Sequence, residues 1–204
     1  MMRSSTSIRK LAINDIPQVL VLSWVYHLPF GPGKKFLNSN NPVVRYGVGG
    51  WKLAAIQRYQ NGSVIKVTQS NRSIPNMNPI WANRVNGVPI RTGTGCGNYD
   101  PRNPATNKYL NVAAFADPAP FTVGNTQFLP NARTCGYLNE DVSLQKEFQI
   151  HERVSVEIAA DAQNLFNRHL WTGLNTNIDT VGTFGQYTGT TGPRLMQLHA
   201  KIVF

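Results

Sequence analysis

Between Leu138 and Ile150 the chain alternates with a period of two. Leu138, Val142, Leu144, Phe148 and Ile150 hold even positions, and Asn139, Asp141, Ser143, Gln145, Glu147 and Gln149 hold odd ones. That period puts the two sets on opposite faces of an extended strand. A helix is excluded, because the i+3 and i+4 neighbours of Val142 are Gln145 and Lys146. After a reversal at His151-Glu152 the pattern resumes, with Val154, Val156, Ile158, Ala160 and Ala162 against Arg153, Ser155, Glu157, Asp161 and Gln163. Two such runs joined by so few residues predict a tight antiparallel hairpin. A third run sets Met196, Leu198, Ala200, Ile202 and Phe204 against Gln197, His199 and Lys201. Each strand therefore has one apolar face that must find either a core or lipid.

Upstream, Val19 to Leu28 is an apolar, β-branched and aromatic run that stops at Pro29, followed by the turn sequence FGPGKK. Trp51 to Thr68 is a second extended stretch. Asn61-Gly62 reads there as a bulge in one long strand, with a hairpin of two short strands as the alternative. From Gln69 to about Tyr137 the chain is rich in Gly, Pro, Asn and Thr without periodicity, and His169 to Gly192 is similar. The expected organisation is a leader at 1–16, strands with a connecting turn at 17–68, a long surface loop at 69–137, and a hairpin plus closing strand at 138–204.

Alternation alone fits a soluble β-sandwich or a transmembrane barrel. Runs of 12 to 13 residues, at ~3.3 Å each, span an outer-membrane apolar band when tilted, whereas soluble strands average about 5 to 6 residues. Joints that alternate short and long match the two rims of a barrel. Trp24, Tyr26, Trp51, Tyr59, Phe148, Phe166 and Phe204 lie within or near strand ends, where an aromatic girdle sits. The longest apolar run, Val19 to Tyr26 with Ser23 inside it, is too short for a transmembrane helix. A membrane would be crossed by strands. The expected fold is all-β, with antiparallel strands from the C-terminal end of a transmembrane β-barrel, incomplete, and with long irregular loops.

The net charge of +10 first suggests nucleic acid. Residues 1–135 carry 15 Lys+Arg against 3 Asp+Glu, and 136–204 carry 5 against 7, with the cations mostly scattered singly. With no basic helix, finger spacing or aromatic-basic sheet motif, a nucleic-acid partner is not expected. The first residues are basic but lack the apolar stretch of a secretory signal, so the chain is expected to be either cytoplasmic or a fragment.

The ordered combination of segments resembles a known family. The terminal alternating run ending in Phe204 is similar to the C-terminal assembly signal of bacterial outer-membrane proteins. Asn164-Leu165-Phe166-Asn167 resembles the segment before the last strand of TonB-dependent receptors. LSWVYHLPFGPGKKFLN, GGWKLAAIQRYQNGSVIKVT, NVAAFADPAP and YLNEDVSLQKEFQI resemble, in order, the barrel end of Oar-like receptors with a carboxypeptidase-regulatory-like domain. The chain departs from that pattern at Asn61-Gly62 and Cys135-Gly136, where relatives carry Ser-Gly and Gly-Pro. The resemblance implies an outer-membrane protein that moves a bulky ligand. Its partners would be membrane lipid, the barrel-assembly machinery, a plug with the remaining barrel, and a TonB system acting through an N-terminal part. Family barrels close with about 22 strands, so this chain is expected to be a C-terminal fragment.

No catalytic site is expected. Asp141, Glu147, Glu157 and Asp161 share a polar face and read as lumen or solvent lining rather than as an acid-base pair. His27, His151, His169 and His199 lie on different elements without metal-ligand spacing, and no cofactor is implied. Gly93-Thr94-Gly95-Cys96-Gly97 lacks the lysine and helix of a phosphate cradle. Cys96 and Cys135 are either two unrelated thiols or a loop disulfide of an oxidising compartment. Met196, Leu198, Ala200, Ile202 and Phe204 would dock on the assembly machinery by strand addition. The alternative class is a soluble or surface β-sandwich that binds a glycan-type ligand. It requires the apolar faces to cover each other.

Overall fold

The computed structural model describes residues 12, 14–70, 81–151 and 154–204. The described strands are β1 (Val19–His27), β2 (Trp51–Gln60), β3 (Val64–Lys66), β4 (Asn83–Arg84), β5 (Phe115–Ala116), β6 (Phe128–Arg133), β7 (Tyr137–His151), β8 (Val154–Gln163), β9 (Trp171–Leu174), β10 (Tyr187–Thr190) and β11 (Leu195–Val203). Among the described residues, the named helical elements are a π-helical turn at Val44–Val48 and a 3-10 turn at Val112–Ala114. The chain divides into two compact units. One comprises Val19–Gln60, Tyr137–His169 and Gly192–Phe204, and the other gathers Asn61–Gly136 and Leu170–Thr191 with the segment up to Gln18.

The first unit is a single sheet in the order β1-β2-β7-β8-β11, with every neighbour antiparallel. Its register carries the alternation from strand to strand. Trp24, Ala55, Val142, Ala162 and Met196 form one cross-strand row, and Val25, Ala54, Ser143, Asp161 and Gln197 form the next. A slip of one residue would exchange the two faces, so the hydrophobic pattern specifies the register. The fold is all-β, antiparallel and unclosed, with β1 and β11 at the edges. The strands measure 9, 10, 15, 10 and 9 residues rather than a uniform 12 to 13. The chain reverses between His151 and Val154; Glu152 and Arg153, on which the expected turn partly falls, lie outside the described residues, as does most of the expected 1–16 leader. The β1–β2 joint, expected to be a turn, is a structured connector running from residue 28 to 50.

The second unit overturns one expectation and adds a core to another. The stretch 51–68 is neither a bulged strand nor a hairpin. β2 ends at Gln60 and β3 pairs with β6 in a different sheet. The break falls at Gly62, where a Cβ would sit 1.7 Å from the Thr134 carbonyl oxygen. Only a residue without a side chain permits that backbone approach. The long connections 69–137 and 169–192 share one hydrophobic core through their described parts. Tyr99, Tyr109, Leu110, Phe115 and Leu129 from the first excursion pack with Ile178, Phe184 and Tyr187 from the second.

Hydrogen bonds tie the aromatic part of this core together. The Tyr187 amide donates to the Tyr99 hydroxyl at 2.8 Å, the Cys135 amide donates to the Tyr187 hydroxyl at 2.9 Å, and the Tyr109 hydroxyl donates to the Arg133 carbonyl at 2.8 Å. Trp171 packs edge-on to Tyr99 and donates its indole N–H to the Cys96 carbonyl at 3.2 Å. Cys96 and Cys135 are joined by a disulfide that closes a separation of 39 residues. Burial pushes the hydroxyls of Tyr187 and Tyr109 above their ordinary range, with the Arg91 guanidinium opposing it at both.

Two outcomes follow for this unit. Replacing both cysteines by serine removes a constraint on the unfolded chain and is expected to cost on the order of 2 to 4 kcal/mol, read as an earlier urea midpoint in tryptophan emission. The two phenols have folded-state pKa values above their unfolded values. Their contribution is therefore fully present below the ordinary phenol value of about 10 and is lost as pH rises beyond it. Stability measured across that alkaline range should fall, and Tyr187→Phe should flatten the fall.

Candidate functional site

The sheet presents two chemically distinct faces. On the even face of β7 lie Leu138, Val142, Leu144, Phe148 and Ile150, in register with Ala162, Ala160, Ile158 and Val156 of β8 and then with Met196, Leu198, Ala200 and Ile202 of β11. Leu20, Leu22, Trp24 and Tyr26 of β1 continue this face through Leu53, Ala55 and Tyr59 of β2. Much of it is bare. Ile158 is 47% exposed, Ile202 66%, Leu198 79% and Phe204 95%. A contiguous apolar surface of this kind marks contact with a partner or with lipid. The unit is one layer thick, so the sandwich alternative is corrected: no second sheet of the unit covers the apolar side.

Two charges interrupt that face, at even positions 140 and 146. Glu140 is 2% exposed and receives two bonds from the Arg168 guanidinium, at 3.0 and 3.2 Å. Lys146 is likewise buried. Its ammonium donates to the Gly49 carbonyl and lies 5.4 Å from the centre of the Trp51 ring and 5.1 Å from that of Phe148. The two residues stand ~20 Å apart along β7 at the usual strand rise, with Val142 and Leu144 between them. Their placement in the alternation was visible in the sequence, but their roles were missed.

The odd face carries the polar chemistry. Glu157 binds Lys201 at 3.2 Å, its direct cross-strand partner, and Lys52 at 3.5 Å. His199 Nδ1 lies 3.3 Å from an Asp161 oxygen, and Asp141 accepts from the Asn164 amide at 2.9 Å. Three of the four carboxylates singled out in the sequence thus have a lysine, histidine or backbone-amide partner. Glu147 stands directly opposite Glu157. A concavity of about 350 Å³ is lined by Ser23, Asp141, Ser143, Asp161 and Gln163 together with apolar residues, among them Trp24, Val25 and Ile56. Of the histidines, His27 ends β1, His151 ends β7, His169 follows β8 and His199 lies in β11. They are not brought together, and among the described residues no cluster of His, Cys, Asp or Glu is suited to hold a metal. Gly93–Gly97 belongs to the second unit, where the Asn98 amide donates to the Gly95 carbonyl in a simple turn.

Asn164-Leu165-Phe166-Asn167 forms the turn that leaves β8. Both asparagines adopt positive φ, 51° and 50°, a conformation that Asn tolerates better than other residues with a side chain. Asn164 accepts from the Arg168 amide at 2.8 Å through its side-chain oxygen and donates to the Arg168 carbonyl at 3.1 Å. Asn167 accepts from the Arg194 amide at 3.0 Å, fixing the residue that precedes β11. The motif works as a latch between β8 and β11. Asn164→Ala loses these bonds and keeps the unfavourable φ, for an expected cost of about 2 kcal/mol. Asn164→Gly relieves the backbone alone and should recover only part, as measured by denaturant midpoints in detergent.

The architecture agrees with comparison to known proteins. No curated protein and no solved structure matches the chain. A family model described as an outer membrane beta barrel domain matches residues 3–197, which takes in all of β1 to β10 and the start of β11. The two-faced antiparallel sheet and this match together place the chain in the outer membrane β-barrel domain family.

Proposed function

We propose that the chain is the C-terminal barrel portion of a TonB-dependent, Oar-like receptor that carries a bulky ligand across the outer membrane. The single observation behind this reading is the bare apolar face running through all five strands of the sheet, backed by an opposite face whose charges are largely paired. Hydrocarbon tolerates the first, and a wet lumen the second. The ordered resemblance to Oar-like receptors supplies the finer assignment. In it, Phe204 lies toward the periplasm, and 69–137 and 169–192 face outside, where the Cys96–Cys135 disulfide suits an oxidising environment. The reading assigns the polar face to guiding solute, without a catalytic role. Met196, Leu198, Ala200, Ile202 and Phe204 present the alternate side chains that strand addition to the assembly machinery requires.

Single cysteines on β11 test the orientation, since both native cysteines are disulfide-bonded. In outer-membrane vesicles, Gln197→Cys should react with a membrane-impermeant maleimide and Leu198→Cys should be protected. Equal labelling would sink the lipid assignment. The receptor assignment is tested by reading the gene upstream, where an in-frame plug segment is expected.

A further inference from the structure

We propose that the 28–50 connector docks the phosphate headgroups of anionic glycerophospholipids. The inference rests on the assignment of the apolar face to lipid and adds a specific headgroup site at one end of it. The segment contains Lys34, Lys35 and Arg45 and neither Asp nor Glu. None of the three cations enters an ion pair among the described residues.

The connector is a built structure. The Phe36 amide donates to the Pro29 carbonyl and the Gly31 amide to the Phe36 carbonyl, each at 3.0 Å, and the Gly33 amide donates to the Asn38 side chain at 2.8 Å. Gly31, at φ 108°, packs so closely on Gly49 that a Cβ would lie 2.7 Å from its Cα. The tip bearing Lys34 and Lys35 is therefore fastened to the segment that follows Arg45. Presentation of the cations costs little further ordering on binding.

Apolar side chains stand beside each charge. The Lys35 ammonium is 5.4 Å from the Phe36 ring centre and the Arg45 guanidinium 5.3 Å from that of Tyr46. Phe36, Leu37, Val43 and Tyr46 are all exposed, Val43 at 74%. Basic groups interleaved with exposed aliphatic and aromatic side chains match the boundary between headgroups and acyl chains. A free anion would use the cations and leave those apolar groups in water.

The test uses the full chain and two kinds of vesicle, pure phosphatidylcholine and equimolar phosphatidylcholine with phosphatidylglycerol. The parent chain should associate with both through its bare apolar face, by quenching of tryptophan emission with brominated lipid, and should partition more strongly onto the anionic one. Lys34→Gln with Lys35→Gln should reduce that preference by on the order of fivefold per cation removed, and Arg45→Gln by a similar factor. The charge-matched pair Arg102→Gln and Lys108→Gln, in the other unit, should leave it unchanged. Association with both vesicles with no anionic preference, or equal loss in the control pair, overturns the headgroup site alone. Failure to associate with either overturns the lipid assignment and this site with it. Competition by soluble polyglutamate as effective as that by anionic vesicles would assign the connector to an acidic protein instead.

Discussion

Everything in the sheet depends on cross-strand register. Four antiparallel pairings hold β1, β2, β7, β8 and β11 together, and they bring apolar residues of the even face opposite one another, as Trp24 opposite Ala55, Ala55 opposite Val142, Val142 opposite Ala162 and Ala162 opposite Met196. Because the side-chain period is two, the pairing cannot drift by one residue without sending Leu144, Ile158 and Leu198 to the side that carries Glu157 and Asp161. The Asn164–Asn167 latch guards this register where β8 hands over to β11. It binds Arg168 on one side and Arg194 on the other, so the start of β11 is placed before its ladder with β8 begins.

The charges are arranged to suit two media. On the polar face Glu157 lies within ion-pair distance of Lys52 and Lys201, and His199 stands beside Asp161. On the apolar face an unpaired carboxylate or ammonium would be costly, and more so near the middle of a lipid-facing band. Glu140 and Lys146 are instead separated along β7. One is closed off by the Arg168 fork and the other by two aromatic rings and a backbone carbonyl. Val142 and Leu144, the apolar-face residues between them, carry no charge.

The sheet was legible in the sequence because its strands make the same decision at every second residue. β7, β8 and β11 could be read from alternation, and β1 from its apolar, β-branched run. The second unit was not legible, since its core has no period. Tyr99 and Tyr187 meet across a separation of 88 residues, and nothing local to either announces the other. Asn61-Gly62 looked like a bulge because Trp51 to Gln60 and Val64 to Lys66 are both extended. The close approach of Thr134 to Gly62, which ends the sheet there, is a long-range contact. Resemblance singled out Asn164 and Asn167, but the reason for two asparagines emerges only from their positive φ and their bonds across the turn.

The strand count has a consequence for closure. Four antiparallel steps separate β1 from β11, so the two edge strands run in the same direction. The sheet cannot join its own edges antiparallel, nor can two copies meet as β11 of one on β1 of the next without a parallel seam. An all-antiparallel barrel built on this sheet needs an odd number of further strands between the edges, bringing the total to the even number usual for bacterial outer-membrane barrels. Until they are supplied, both edges offer unpaired backbone donors and acceptors, which hydrocarbon does not tolerate. The same hydrogen-bonding demand that orders the five strands therefore requires an odd-stranded partner sheet for a stable place in the membrane.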